Sequence, residues 1–478
     1  MRYEPVIGLE LHIQLNTHSK LFSPSSAAFG AEANTHVNEI DLAYPGVLPV
    51  LNEQALASAV LFGLALGSRI HSSAVFMRKN YFYPDSPKGY QISQLNDAVI
   101  LGGQVSIDVD GATQTVRINR GQLEEDAGKS VHDIFSDRTG IDLNRAGVPL
   151  IELVSEPDMH SAAAAVAYMR KIHHLVRYLG ISDGNMQEGS FRCDANVSIR
   201  PVGSKELNAR VELKNINSFR FVAQAIQIEI ERQSDILDAG GSVEQETRLF
   251  DPEKMQTRTM RSKENANDYR YFPDPDLLPL HLSAETIEHI RAQLPELPDA
   301  RAQRYRKDYQ LDDETIAFLV QTRMIADYFD AVVAKCHDAK LAANWISVEL
   351  ARLLNEHHLS FEQNPVSAEQ FSQLLLKIHD DTISAQNGKK VLDYLWQHAD
   401  ADVDAVIDTQ GLRQISDDQA LKTWAAEVLA AYPKQVADYR GGQEKLLGFF
   451  VGQVMKKSRG KANPKTVNDI ISQMLQAE

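Results

Sequence analysis

The chain has 478 residues, 43% hydrophobic and 24% charged, the proportions of an ordinary globular protein, and at that length it should divide into two or three domains. Its net charge of −16 excludes a protein that coats nucleic acid, because phosphate binding needs clustered positive charge. Two cysteines, Cys193 and Cys336, exclude a disulfide framework and a zinc site built from four cysteines.

At the amino terminus, MRYEPVIGLELH carries charges where a signal peptide needs its apolar run, which predicts a cytoplasmic protein. In GLELHIQL, Leu9, Leu11, Ile13 and Leu15 alternate with Glu10, His12 and Gln14. That spacing predicts a strand with one oily face and one face holding a carboxylate and an imidazole. The apolar run Ala55 to Gly67 is shorter than the ~20 residues a bilayer span needs, so it predicts a buried helix and no membrane partner. Met77 to Gln94 sets Arg78, Lys79, Lys88 and three tyrosines among prolines, and reads as an ordered loop. Its cations can neutralise phosphate and its tyrosines can stack on a base; a packed surface loop is the alternative.

LEEDAGKS ends like a phosphate-binding P-loop, but Leu123 stands where that pattern requires glycine. Glu124, Glu125 and Asp126 make the segment a source of metal ligands instead. PLIELVSEPD places Glu152 between Ile151 and Leu153, and a charge set into a half-buried strand needs a partner. From Ser190 to Arg200, Phe191, Cys193, Ala195, Val197 and Ile199 alternate with polar residues, which makes Cys193 a core side chain. A second alternating run with Ala209, Val211 and Leu213 follows PVGSKELN, predicting an antiparallel hairpin. The polar face of that hairpin would present Arg192, Asp194, Asn196 and Lys214, either as a site wall or as the wet side of a sheet. Tyr269 to Leu280 repeats the aromatic and proline character of Met77 to Gln94.

Pro295 to Tyr305 reads as a hinge, and beyond it strand signals vanish. Helices are predicted from Asp312 or Asp313 toward Cys336, then over Lys340–His357, Ser367–Asp380 and Gln386–His398. A last helical unit starts near Ile415, breaks at Pro433 and ends with Pro464 to Gln476 capped by Asn463. Between Arg440 and Lys465, seven basic residues stand against the single Glu444. Such a stretch is a nucleic-acid contact or a solvated helix face.

Several hard oxygen donors plus a histidine suit Mg²⁺ carrying a nucleotide phosphate; any one of these residues alone fits a structural ion pair better, and the three segments together reverse that reading. There is no GxSxG elbow, and Cys193 lies on the apolar side of its strand, a core position and not that of a thiolate nucleophile, so chemistry needing ammonia would have to borrow it from a partner.

The segments VIGLELHIQL, DLAYPGVLPVLN, RKNYFYPDSPKGYQISQ, LEEDAGKS, DLNRAGVPLIELVSEPD, EGSFRCDANVSIRP, ELKNINSFRFV, DYRYFPDPDLLPL and GFFVGQVMKKSRGKANP together resemble the GatB/GatE family, part of the bacterial aspartyl/glutamyl-tRNA amidotransferases. The resemblance implies an α+β fold: a cradle domain like glutamine synthetase and guanidino kinases over residues 1–293, a helical domain over 294–407 and a YqeY-like, tRNA-binding tail over 408–478. It implies ATP-dependent phosphorylation of the side-chain carboxylate on misacylated Glu-tRNA(Gln) or Asp-tRNA(Asn), then amidation with ammonia from an amidase-like A subunit, in a heterotrimer with a small C subunit. The metal positions carried over are His12, Glu125 and Glu152, with Glu10 beside them, and the ion is Mg²⁺. Lys79, Tyr81, Ser190 and Asn196 are assigned to the nucleotide, and Glu10, His12, Lys79, Arg192 and Asp194 to catalysis. Lys456, Lys457, Arg459 and Lys461 are assigned to tRNA. Some relatives hold zinc through cysteine pairs, which this sequence lacks, so no zinc is expected. Two other readings compete: a tRNA-binding adapter without catalysis, and a free-standing ligase that uses dissolved ammonia.

Overall fold

The computed structural model describes residues 3–132, 137–262, 266–414, 418–458 and 461–476. The chain forms two compact units, Met1–Leu297 and Pro298–Glu478.

The first unit is built on a sheet of ten strands. At its centre lies β1 (Tyr3–Gln14), paired antiparallel on one side with the strand Pro149–Ser155 and on the other with Phe191–Pro201. Beyond Pro149–Ser155 comes the long strand Ala112–Glu125, and beyond Phe191–Pro201 come Val211–Ile216, Glu246–Asp251 and Gln256–Ser262. The alternation read from the sequence sets the two faces. Leu9, Leu11, Ile13, Ile151, Leu153, Cys193, Ala195 and Val197 are all buried on one of them. The helices α1 (Ala162–Tyr178) and α2 (Phe219–Asp238) join the same core through Tyr168, Met169, Ile172, Val222 and Ile226. Each starts at a serine cap: Ser161 Oγ accepts from Ala164 N at 3.0 Å, and Ser218 Oγ from Phe221 N at 3.1 Å. Burying one such Leu or Ile contributes about 1.5–3 kcal/mol, so this face anchors the strands whose other face stays open.

The apolar run near residue 60 is the buried helix Glu53–Ala65. Gly63 lets it approach the sheet edge, since a Cβ there would meet Ile70 Cδ1 at 2.7 Å and Ile100 Cγ1 at 3.0 Å. The hairpin expected around PVGSKELN is present, with a bulge between Cys193 and Ala195. The segment Met77 to Gln94, expected as a loop, instead contains two strands, Met77–Asn80 and Tyr90–Ser93. Phe272–Pro273 adds a third strand to them. Its prolines are confined to the connection between the strands, and the third strand lies nearly two hundred residues away, where no local pattern can signal it.

The second unit is helical. The expected hinge is itself largely helix, Pro298–Tyr309, because proline at the first helical position has no N–H to leave unpaired. The run from Asp312 to Cys336 is two helices, Asp313–Leu319 and Arg323–Cys336, the second capped by Thr322. Between Lys340 and His357 the helix widens into a π segment over Trp345–Leu350. One apolar cluster runs from Tyr305 to Leu412 and a separate one from Leu421 to Leu475, so the first extends past the expected division at residue 408. The tail helices are Asp418–Ala431, Pro433–Arg440, Leu446–Lys457 and Pro464–Gln476. Asn463 Oδ1 accepts from Lys465 N and Thr466 N, as its position predicted. The expected start at Ile415 lies outside the described residues. Among the described residues no helix is long and apolar enough to cross a membrane.

Candidate active site

Directly opposed residues of antiparallel strands share a face, so the register of β1 assembles the site. His12 stands opposite Arg192 on one neighbour and Glu152 on the other, and Glu152 stands opposite Gln122. Glu10 stands opposite Asp194, and Leu150 opposite Glu124. The open face of the sheet therefore carries four acids, Glu10, Glu124, Glu152 and Asp194, and a histidine side by side. His12 Nε2 lies 3.7 Å from Glu152 and 3.9 Å from Glu124, and the donor atoms of Glu10, His12 and Glu152 all fall within 4.8 Å of one another.

The three-stranded sheet supplies the opposite wall. Lys79 projects from Met77–Asn80 and lies 4.8 Å from the ring centre of Tyr269 and 5.9 Å from that of Tyr81. Arg78 bonds Asp274 at 2.8 Å and Asp276 at 2.9 Å, while Asn80 donates to the carbonyls of Tyr269 and Arg270. These contacts fasten the second aromatic segment beside the first. A cavity of about 540 Å³ lies between the acidic floor and this wall.

Charge crowding governs the acids. The Glu10 carboxyl is pushed up to about 8, first by the facing Glu152 carboxylate and then by burial. Burial and Glu152 also push Glu124 up, with Lys79 drawing it back. Burial works against the Lys79 ammonium, but Glu124, Tyr271 and Glu152 outweigh it and raise its pKa. Asp194 is held in an ion pair by Lys214. Carboxylates that repel each other beside an imidazole form a donor set that a hard divalent cation would relieve. Glu10, His12 and Glu152 fit Mg²⁺ on that ground, with Glu124 beside them.

A pH dependence follows. Glu10 titrates near 4.5 ordinarily and near 8 when folded, so the fold holds a proton that the unfolded chain releases. The contribution of this group to stability is full below the lower value and is lost as the pH rises through the upper one. Thermal unfolding of the metal-free chain should show the melting temperature falling between about pH 4.5 and 8, and Glu10→Gln should flatten that fall. A slope unchanged by Glu10→Gln would remove Glu10 as its source.

Of the residues singled out in the sequence, Glu10, His12, Lys79, Tyr81, Glu152, Arg192 and Asp194 line this one cavity. Glu125 does not. Its carboxylate accepts from Ile92 N at 2.9 Å and pairs with Lys88, because it has the strand parity of the buried Leu123; Glu124 has the parity that faces His12. Ser190 and Asn196 are also outside the lining. Ser190 is buried at the strand entry, its carbonyl accepting from Gln14 N at 2.9 Å, and Asn196 stands between Gly8 and Glu212. The lining adds Gln122, Arg210, Met260, Tyr269 and Tyr271. Parity from Leu123 signals Gln122, the alternation of Ala209, Val211 and Leu213 puts Arg210 on the polar face with Lys214, and the aromatic segment signals the tyrosines; nothing local signals Met260. In the second unit, exposed Lys456 and Lys457 end one helix and exposed Lys461 precedes the next, with Lys457 paired to Glu427. Arg459 lies outside the described residues.

A mainly antiparallel sheet with an acidic, cation-flanked face, followed by a helical unit, matches a known class in both parts. Residues 5–288 match the GatB/GatE catalytic domain and residues 327–475 the GatB domain. The chain belongs to the GatB/GatE family. It is 54% identical to a protein of Hydrogenovibrio crunogenus over 99% of this chain and all of that one. Over the full length of both chains it is 55% identical to a protein of Thioalkalivibrio sulfidiphilus and 53% identical to one of Pseudomonas aeruginosa. Each of the three is named as the B component of an aspartyl/glutamyl-tRNA(Asn/Gln) amidotransferase.

Proposed function

We propose that this chain is the B component of a tRNA-dependent amidotransferase, which converts Glu-tRNA(Gln) or Asp-tRNA(Asn) to the amide form and carries the phosphoryl-transfer step. The observation that supports this most is the Glu10, His12 and Glu152 cluster in one cavity with Lys79 and Arg192. A tRNA adapter without catalysis has no use for such a cluster, and desolvated acids are costly to keep.

A side-chain carboxylate is inert to ammonia until one oxygen becomes a good leaving group. One of its oxygens attacks the γ-phosphorus of ATP, the bond from that phosphorus to the oxygen of ADP breaks, and ADP leaves. Ammonia then attacks the acyl carbon, the carbon–oxygen bond to phosphate breaks, phosphate leaves, and the nitrogen sheds a proton. Such a transfer depends mainly on positioning and charge neutralisation. Lys79 and Arg192 would neutralise the transferring group, and Glu10, His12 and Glu152 would hold Mg²⁺, which when bound screens the phosphate charge. Tyr81, Tyr269 and Tyr271 give the cavity an aromatic wall suited to a base. On this reading the first unit is a cradle of the glutamine synthetase and guanidino kinase type, and the second holds the tRNA. Ammonia comes from an amidase-like A subunit in a cytoplasmic heterotrimer with a small C subunit.

The division of labour is directly testable. Purified alone, the chain should form amide from ammonium chloride, ATP and misacylated tRNA, and almost none from glutamine. Full glutamine-dependent activity from the isolated chain would overturn the proposal.

A further inference from the structure

Asp126 follows directly on the strand that carries Glu124, and it is buried. Its backbone is pinned on both sides: its N–H donates to Val148 O at 2.8 Å, and its carbonyl accepts from Gly147 N at 2.9 Å. The carboxylate is held as firmly. It accepts from Gln14 Nε2 at 2.7 Å, from Ala127 N at 2.9 Å and from Arg192 Nη2 at 2.9 Å, and Arg145 Nε lies 3.6 Å away.

Arg192 enters the sheet opposite His12, surrounded by acids. Both Asp194 and Glu124 attract its guanidinium, and Glu152 lies one strand beyond His12. A long arginine with no fixed partner would settle on one of these carboxylates and neutralise the group that the cavity keeps for a cation or substrate. Asp126 prevents this by taking one edge of the guanidinium, through Nη2. The Nε of Arg192 is buried and, among the described residues, has no hydrogen-bond partner. A buried guanidinium N–H without an acceptor is costly, so the Asp126 contact is what fixes the head group of this arginine, which lines the cavity.

We propose that Asp126 is a positioning residue for the phosphoryl-transfer step, fixing Arg192 so that its guanidinium meets the transferring group instead of the acidic floor. This rests on the phosphoryl-transfer reading of the cavity. Asp126 also lines the cavity, but its carboxylate is occupied by Gln14, Ala127 N and Arg192, so it acts through Arg192. It also ties Arg192 to the segment that follows the strand, because Arg145 bonds the carbonyls of Ala127 and Gly128 at 3.0 and 2.7 Å.

The test is a double-mutant cycle in the assembled enzyme, with ammonium chloride, ATP and misacylated tRNA. Asp126→Asn should lower kcat by about 10- to 100-fold, as loss of a partner that orients an active-site ligand does, with KM for ATP and tRNA changed by less than about threefold. Arg192→Gln should lower kcat at least as much, and the double variant should be no worse than Arg192→Gln alone, because the first substitution acts only through the second residue. Additive losses would overturn the proposal, as would Asp126→Asn with wild-type kcat. If Asp126→Asn does not fold, Asp126→Glu keeps the charge that both arginines need and shifts the carboxylate by one methylene. Its kcat should still fall about tenfold, and wild-type kcat in a folded Asp126→Glu would overturn the proposal. Wild-type kcat in Arg192→Gln would instead sink the phosphoryl role of Arg192, and the positioning role with it.

Discussion

Replacing Glu152 by glutamine should remove most ATP-dependent amide formation, with kcat falling about 10²- to 10³-fold, while glutamine hydrolysis by the amidase-like subunit proposed above continues. Glu152 is both the main cause of the raised Glu10 pKa and the carboxylate nearest His12. Removing its charge leaves the cavity without the donor that makes the cluster attractive to a divalent cation. The structure sharpens the prediction at two adjacent residues. Glu124→Gln should raise the Mg²⁺ concentration needed for half-maximal rate, because Glu124 faces His12; Glu125→Gln should leave that concentration unchanged, because Glu125 faces Lys88. Initial rates measured across a magnesium titration decide the matter. A shift with Glu125→Gln and none with Glu124→Gln would return the cation to Glu125.

Neutralising Lys456, Lys457, Arg459 and Lys461 together should raise KM for aminoacyl-tRNA about tenfold or more near physiological salt, and should reduce the slope of log affinity on log salt by about 3. Turnover at saturating tRNA should change far less, since charges that only hold tRNA phosphates bind ground and transition states alike. The protein has a net charge of −16, so an attractive surface for phosphate must be local, and the basic stretch ending at Lys465 is where the chain concentrates positive charge. The ion pair between Lys457 and Glu427 is exposed on both sides and worth little, so it does not remove Lys457 from the set. Unchanged affinity and an unchanged salt slope would show that these lysines only solvate their helices.

Local pattern in the sequence was enough for the strands at Glu10 and Arg192, the buried helix near residue 60, the hairpin at PVGSKELN and the helical character beyond residue 300. Each depends on a period of two or of 3.6, or on a cap, and so is written within a few neighbouring residues. Parity alone also placed Glu10 and His12 on one face of a strand, and the same rule applied from Leu123 would have chosen Glu124 over Glu125. The tertiary structure decided what no period carries. It set which strands flank β1 and in what register, which brings His12 between Arg192 and Glu152. It paired Phe272–Pro273 with Met77–Asn80, so that two aromatic segments became one wall opposite the acids. It also left Ser190 and Asn196 outside the cavity and joined Asp126 to Arg192 across 66 residues. These contacts are long-range, chosen by how whole faces bury against one another, whereas alternation in a sequence reports only which face each side chain takes.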